Sequence, residues 1–313
     1  GAQAPPVEAG PAATPGAQAP PAGAGPAAAP GAADRARALE IVRQGLGSAA
    51  RGTRLLALRG AVAEPTLLAE VTRKLGEADL QLEAARLLGE AGRKEASAEV
   101  GALLERTTDA AVFVGSAEAL ARLGDPKGRK RLQEAQKAKD PIMKLAATLS
   151  LSRLGDRGTQ KRLRKLADGT PSAGPELRLQ AQGELGRQGD RAAREQLLAQ
   201  ISSAGTEELR GLAARELARG EDAESLGRLR ALLLDGGGRR AAAPALAERG
   251  EPEACRVLAE LSQDRKAPLP AAALLGLGAC GPAAGPLATR LTDPALSEEL
   301  RVAIAAALLR IAR

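Results

Sequence analysis

The side chains that most often carry catalysis at neutral pH are scarce in this 313-residue chain, which has no histidine and two cysteines. The lack of histidine removes the usual general base, the Ser-His-Asp and Cys-His arrangements and the commonest metal ligand. Two cysteines are too few for a four-thiolate zinc site. Acidic residues fall mostly at turns or on polar helix faces, where they act chiefly as caps and solvated pairs. The sequence therefore predicts a protein that is not an enzyme and that uses no cofactor or metal.

A run of basic residues between positions 121 and 165 is the strongest candidate for a binding surface. It holds fourteen basic and four acidic side chains in a chain of net charge +7. Such a patch attracts an acidic protein segment, an anionic glycan or lipid headgroup, or nucleic-acid phosphates. The alternative is a solvated polar face whose arginine stems cover apolar side chains. The candidate partner-binding residues are Lys127, Arg129, Lys130, Arg131, Lys161, Arg162, Arg164 and Lys165.

The two cysteines allow two interpretations. Cys255 lies near the start of one predicted helix, and Cys280 lies at the end of the next. Antiparallel neighbouring helices place those two ends on the same side, so a disulfide can form if the Cα atoms come within about 7 Å. Buried free thiols, acting as small apolar side chains, are the alternative. No histidine is present to activate a catalytic thiol.

The elements that position these residues begin after a segment of different composition. Residues 1–33 contain eight prolines and a single charge, and residues 1–15 match residues 16–30 at twelve of fifteen positions. Pro-rich chains favour extended polyproline II and bury too little surface to fold. We therefore predict a disordered Pro/Ala/Gly-rich linker over 1–33 and a folded region over 34–313. A ligand for a polyproline-binding domain is the alternative role of the linker.

The folded region repeats. A short turn, usually with glycine, recurs every 29 to 34 residues, and a leucine stands four residues before every turn. These turns are centred on Gly60, Gly92, Gly124, Gly155, Gly189, Glu221, Gly250 and Gly281. Glycine ends a helix cheaply in the left-handed conformation, and an acidic residue after it caps the next helix. Each repeat is thus predicted to be a helical hairpin, an A helix followed by a B helix, and the chain an all-α solenoid of about eight hairpins.

The repeats resemble a known family. Residues 116–132, SAEALARLGDPKGRKRL, and residues 147–163, ATLSLSRLGDRGTQKRL, carry its A-x-x-L-x-x-L-G-D pattern. The chain resembles the short HEAT repeats, of about 30 residues, of phycocyanobilin-lyase-like proteins. The resemblance implies a right-handed α-solenoid whose B helices line the concave surface. It also implies an adaptor of the non-enzymatic branch, because the iron-binding histidines of one branch are absent here.

These observations favour a scaffold that binds a protein partner on its concave face, with the Pro-rich linker as a tether. The alternative is a nucleic-acid-binding solenoid that uses the basic residues 121–165, although no aromatic residues interleave them for base stacking. No apolar stretch is long enough to span a membrane. The Ala/Arg/Gly-rich composition favours a bacterial source, and the start at a residue other than Met, the tail and the possible disulfide favour a cell envelope or periplasm over the cytoplasm. The apolar last helix, about 297–312, is predicted to be only partly covered and to support end-to-end contacts.

Overall fold

The computed structural model describes residues 31–169, 174–203, 205–264, 269–281 and 285–311, and these form helices and turns without a strand. The predicted all-α solenoid of helical hairpins is confirmed. None of the helices within these ranges is long and apolar enough to cross a membrane. The α-helices are Ala32–Gly45 (α1), Arg51–Ala61 (α2), Leu68–Arg73 (α3), Gln81–Glu90 (α4), Ser97–Arg106 (α5), Ala110–Arg122 (α6), Pro126–Ala135 (α7), Pro141–Arg153 (α8), Gln160–Ala167 (α9), Pro175–Arg187 (α10), Arg191–Ile201 (α11), Glu207–Ala218 (α12), Ala223–Ala231 (α13), Arg239–Ala247 (α14), Pro252–Ser262 (α15), Gly285–Arg290 (α16) and Glu298–Arg310 (α17).

The helices pair in chain order. The A helices are α2, α4, α6, α8, α10, α12 and α14, and each is followed by its B helix. The eighth hairpin has a 3₁₀ segment, Ala271–Ala279, in place of an α-helical A helix, followed by α16. The first helix begins at Ala32, two residues before the predicted boundary. The rest of the predicted linker lies outside the described residues.

Most turns between A and B helices have the predicted chemistry. Six of the eight turn positions are glycines with positive φ, for example Gly124 at 94° and Gly189 at 97°. An aspartate then caps the B helix, as where Asp125 accepts from the backbone N–H of Lys127 at 2.9 Å. Glu251 makes no side-chain cap, and its carboxylate instead accepts from Arg230 at 2.7 Å. Glycine and aspartate thus fix where each B helix begins.

Gly60 has a different role from the one predicted. It does not have a positive φ, and it lies buried inside α2. A Cβ atom at this position would stand 2.6 Å from the Cα of Ala306 in the last helix, α17. The glycine is therefore required by the close approach of two helices and not by a turn.

The two ends of the chain meet. Arg35 of α1 donates to Glu64 at 2.9 Å and to the backbone oxygen of Leu309 at 3.5 Å. A Cβ atom at Gly45 would stand 2.9 Å from Val302, and one buried core cluster includes apolar residues of α1, α2 and α17. Helix α17 follows the eighth hairpin, and α1 packs on it as a ninth B helix. The solenoid is thereby closed into a ring.

Closure corrects the prediction for the last helix. Residues 302–309 are all buried, since α1, α2 and the 3₁₀ segment cover them within the same chain. The apolar side chains that suggested end-to-end contacts between molecules instead form part of the internal core. Leucine, alanine and valine dominate that core. This agrees with a sequence that has a single phenylalanine and neither tryptophan nor tyrosine.

Candidate functional site

The predicted partner-binding residues lie on two consecutive B helices. Helix α7 carries Lys127, Arg129, Lys130 and Arg131, and helix α9 carries Lys161, Arg162, Arg164 and Lys165. We call these eight residues the basic face. Seven of them are exposed, and Arg131 is half-buried. Beneath them, Leu132 and Leu163 are completely buried, so each helix has an apolar side toward the core and a basic side toward solvent.

Part of the basic face is already engaged within the chain. Arg131 pairs with Glu105 at 2.6 Å and Glu134 at 3.1 Å, and Arg164 pairs with Asp190 at 3.3 Å. The hydrogen bonds that Arg131 donates to Glu134 and Glu105 raise its pKa. Arg129 donates to a backbone oxygen of the next hairpin at 2.7 Å. These contacts fix side chains at the surface.

Four other cations of the basic face are available. Lys127, Lys130, Lys161 and Arg162 are exposed, and their side chains make no hydrogen bond or ion pair with any residue in the described ranges. Two of the four lie on each helix, so the unpaired charge extends across two hairpins. A surface with four unpaired cations can receive several carboxylates at once.

The basic face does not line the inside of the ring, which corrects the expectation that B helices form the concave surface. A pocket of about 480 Å³ is lined by α2, α4, α10, α12, the 3₁₀ segment and α17, together with Glu248 after α14. An adjoining pocket of about 330 Å³ adds residues of α6 and α8. The A helices carry the small residues, for example Ala84, Ala213 and Ala242, and small side chains let these helices approach closely around the centre.

A second group of charged side chains lies inside the ring and was not predicted. Arginine stands two residues before the turn position in four consecutive repeats. These arginines are Arg122, Arg153, Arg187 and Arg219, and all four line the smaller pocket. The recurrence was present in the sequence, but an A helix was expected to face away from the concave surface. We call these four residues the arginine ring.

Buried glutamates alternate with the arginine ring. Glu118 pairs with Arg122 at 2.8 Å, and Arg187 pairs with Glu216 at 3.3 Å. Glu118 also accepts from the hydroxyl of Ser150 at 2.6 Å. Arg153 lies between two A helices, 3.7 Å from one carboxylate and 3.9 Å from the next. Neighbouring hairpins are therefore joined across the inner surface by charge pairs as well as by apolar packing.

Burial and pairing act against each other in this network. Burial would raise the pKa of Glu118, but Arg153, with Ser150 and Arg122, holds that pKa below its ordinary value. Burial lowers the pKa of Arg153, and Glu118 opposes that change. The ionised carboxylate is thus the favoured form, and the network is a set of mutually compensated charges.

Two arginines of the larger pocket differ from the others. Neither Arg86 of α4 nor Arg215 of α12 makes a side-chain hydrogen bond or an ion pair with any residue that the structure describes. Both are half-buried. Burial lowers the pKa of Arg215, an effect that Glu248 opposes and the charge of Arg59 reinforces. The pocket therefore contains two guanidinium groups that are partly removed from water and that make no hydrogen bond or ion pair within the described residues.

Cys255 and Cys280 are joined. Their sulfur atoms form a disulfide, with 5.6 Å between the Cα atoms. Cys255 lies in α15, and Cys280 follows the 3₁₀ segment at its C-terminal end. The bond therefore fixes the start of the seventh B helix to the end of the next hairpin's first segment, and neither sulfur is a free thiol.

Comparisons with known proteins agree with this architecture. Residues 65–152 match the family model of HEAT repeats. The repeats of this chain are similar to HEAT repeats, which generally mediate protein–protein interaction. No curated protein matches the sequence.

Three solved structures are similar in fold. Human deoxyhypusine hydroxylase, in complex with glycerol, is 19% identical over 89% of this chain and 97% of its own, with a TM-score of 0.36. The complex of CpcE and CpcF of phycocyanin lyase from Nostoc sp. PCC7120 is 22% identical over 75% and 91%, with a TM-score of 0.37. An engineered protein is 20% identical over 89% and 94%, with a TM-score of 0.31.

These similarities correct the prediction that the chain is not an enzyme. One of the similar structures is a hydroxylase, and another is a complex of a lyase. The prediction relied on the absence of histidine, and the absence of one residue type does not exclude catalysis. At these identities the likeness shows the fold alone and transfers no activity to this chain.

Proposed function

We propose that this protein is an adaptor that binds an acidic segment of a protein partner on its basic face. The observation that carries the proposal is the group of four exposed cations without partners in the described chain, Lys127, Lys130, Lys161 and Arg162. In the same proposal the Pro/Ala-rich residues before α1 act as a tether, on the strength of their composition.

The engaged residues of the basic face support its use as a docking surface. Arg131 and Arg164 are held by ion pairs to neighbouring hairpins. A partner that binds beside them meets side chains already partly ordered, so less conformational entropy is lost on binding. The unpaired lysines then supply the charge that steers and orients an acidic segment.

The deciding experiment compares two charge-reversal variants in a nuclease-treated pulldown from the source cell, read by mass spectrometry. The first changes Lys127, Lys130 and Arg162 to glutamate. The second, a control with the same change in net charge, reverses the exposed cations Arg37, Lys94 and Arg178. None of these six side chains makes a hydrogen bond or ion pair with a residue in the described ranges, so both variants are expected to keep the wild-type fold.

A protein retained by the wild type and the control, and lost by the first variant, is the expected result. Equal retention by all three chains would reject the basic face as the docking surface. Enrichment that disappears on nuclease treatment would favour nucleic acid as the ligand. In that case affinity would fall by roughly 0.9 log unit per phosphate contact for each log unit of salt on duplex DNA.

A further inference from the structure

The larger central pocket has the size of a small-molecule site and is partly open to solvent. Its lining comes from six elements that are far apart in sequence and meet only because the ring closes. Its volume, about 480 Å³, lies within the range of about 300–1,000 Å³ typical of ligand pockets. The adjoining pocket of about 330 Å³ shares Arg86, Glu90 and Arg219 with it.

The charge of this space is positive. The two pockets together are lined by eight arginines and five glutamates. The arginines are Arg59, Arg86, Arg122, Arg153, Arg187, Arg215, Arg219 and Arg310, and the glutamates are Glu83, Glu90, Glu184, Glu216 and Glu248. One further glutamate, Glu118, lies behind Arg122 and Arg153 and is paired with both. An excess of positive charge in a cleft attracts anions.

Most of these arginines already have hydrogen-bond or ion-pair partners within the chain. The arginine ring is paired with glutamates, Arg59 pairs with Glu83 at 2.9 Å, and Arg310 donates to a backbone oxygen at 3.4 Å. Arg86 and Arg215 remain. A guanidinium that is partly desolvated without a partner costs free energy. A ligand that supplies a hydrogen-bond acceptor would offset this free-energy cost.

We propose that the central pocket binds a small molecule through its phosphate group, held between Arg86 and Arg215. The planar guanidinium presents two parallel N–H groups that match a pair of phosphate oxygens. A phosphate monoester carries about −1.5 to −2 charge at neutral pH, enough to balance two guanidinium groups, whereas a single carboxylate balances one. The pocket is too small for a nucleic-acid duplex or a folded partner, which limits the ligand to a compact phosphorylated compound.

Calorimetric titration of the full chain tests the site, with glucose 6-phosphate, pyrophosphate and inorganic phosphate as separate probes. A phosphate ester or pyrophosphate is expected to bind saturably, one per chain, with a Kd of about 1 mM or tighter. Arg86→Gln and Arg215→Gln are each expected to weaken binding at least about tenfold, because each removes a charge-assisted pair. Arg215→Lys keeps the positive charge but loses the two parallel N–H groups of the guanidinium. Its affinity for the probe is expected to lie between those of the wild type and Arg215→Gln.

Two controls separate this site from the basic face and from loss of folding. The triple variant of Lys127, Lys130 and Arg162 is expected to bind the same probe with unchanged affinity. Arg215→Gln is expected to melt no lower than the wild type in the absence of ligand, since it removes a desolvated charge. It is also expected to lose the rise in Tm that ligand gives the wild type.

The proposal is overturned by any of three results. The first is that no probe binds saturably below about 10 mM. The second is that Arg86→Gln and Arg215→Gln both bind within about twofold of the wild-type affinity. The third is that only the triple variant loses binding. Binding of inorganic phosphate with the same affinity as glucose 6-phosphate would assign the site to the free ion and reject a phosphorylated compound as its specific ligand. The outcome is independent of the pulldown, since the two sites share no residue.

Discussion

At the scale of single residues, the inner surface depends on charges that compensate one another. Glu118 is 8% exposed, and the side chain of Arg153 is 12% exposed. Breaking a buried pair by removing one partner is strongly destabilising, since the other charge is left without compensation. An exposed pair such as Arg131 with Glu134 contributes little, because water and salt screen it.

Glu118→Gln is therefore expected to lower the free energy of unfolding by about 3 kcal/mol, leaving Arg122 and Arg153 without their carboxylate. Glu134→Gln, at the exposed pair, is expected to cost less than about 0.5 kcal/mol. Urea unfolding followed by circular dichroism measures both. Equal losses in the two variants would show that the inner network adds nothing beyond a surface pair.

The cost of Glu118→Gln is also expected to depend on pH. Arg153 and its neighbours hold the folded pKa of Glu118 below the ordinary value of 4.5, so its stabilisation is fully present above that value. As the pH falls through the lowered folded pKa, the wild-type carboxylate becomes protonated and loses this advantage. The difference between wild type and Glu118→Gln should shrink in that acidic window, and a difference that grows on acidification would contradict the assignment.

Residues near the turns could be predicted from the sequence, whereas the inner network could not. The capping roles of Asp125 and Asp222 follow from local backbone geometry, which a spacing pattern reveals. The role of Arg153 depends on which surface of the hairpin faces inward, and that is set by how tightly the ring curves. The repeat pattern reveals the arginine positions but does not predict the curvature of the ring.

At the scale of helices, two glycines within helices play opposite roles. Gly60 of α2 leaves no room for a side chain, because Ala306 of α17 lies where its Cβ atom would be. Gly211 of α12 has nothing within 4 Å of that position and lies in an ordinary helical turn. The first glycine permits a close helix contact, and the second only lowers helix propensity.

Gly60→Ala is expected to destabilise the protein by about 1–3 kcal/mol, because the added methyl forces α2 and α17 apart. Gly211→Ala is expected to raise stability by about 0.5–1 kcal/mol, since alanine is the better helix former. Thermal melts of the two variants beside the wild type give the comparison. A Gly60→Ala variant as stable as Gly211→Ala would mean that α2 and α17 are not in close contact.

The boundaries of the helices were easier to predict than the contacts that each helix makes with distant helices. The glycine-aspartate turns placed the starts of α7 and α11 within a residue or two, because both signals act on the adjacent backbone. Gly60 fitted the same repeat spacing and was wrongly assigned to a turn. Its requirement comes from a helix about 240 residues later, which no local signal contains.

At the scale of the whole molecule, ring closure distinguishes this chain from an open array of repeats. An open array has two ends, and its stability is close to a sum over neighbouring repeats. Here α1 and α17, from opposite ends of the chain, complete a ninth hairpin and bury the apolar face of the last helix. Sequence repeats predict which neighbours stack, but not that the first and last repeats meet. Closure also brings the residues of the central pocket together.

Separating α1 from the ring is expected to expose the apolar face of α17 and to make the protein associate. In Val42→Asp, a charge replaces a side chain that is completely buried. Light scattering should then give a mass above that of one chain that rises with concentration, while the wild type keeps the mass of one chain. Arg37→Asp, on the exposed side of the same helix, is the control and should behave as the wild type. A monomeric Val42→Asp variant whose α17 amides exchange hydrogen as slowly as in the wild type would show that α1 does not close the ring.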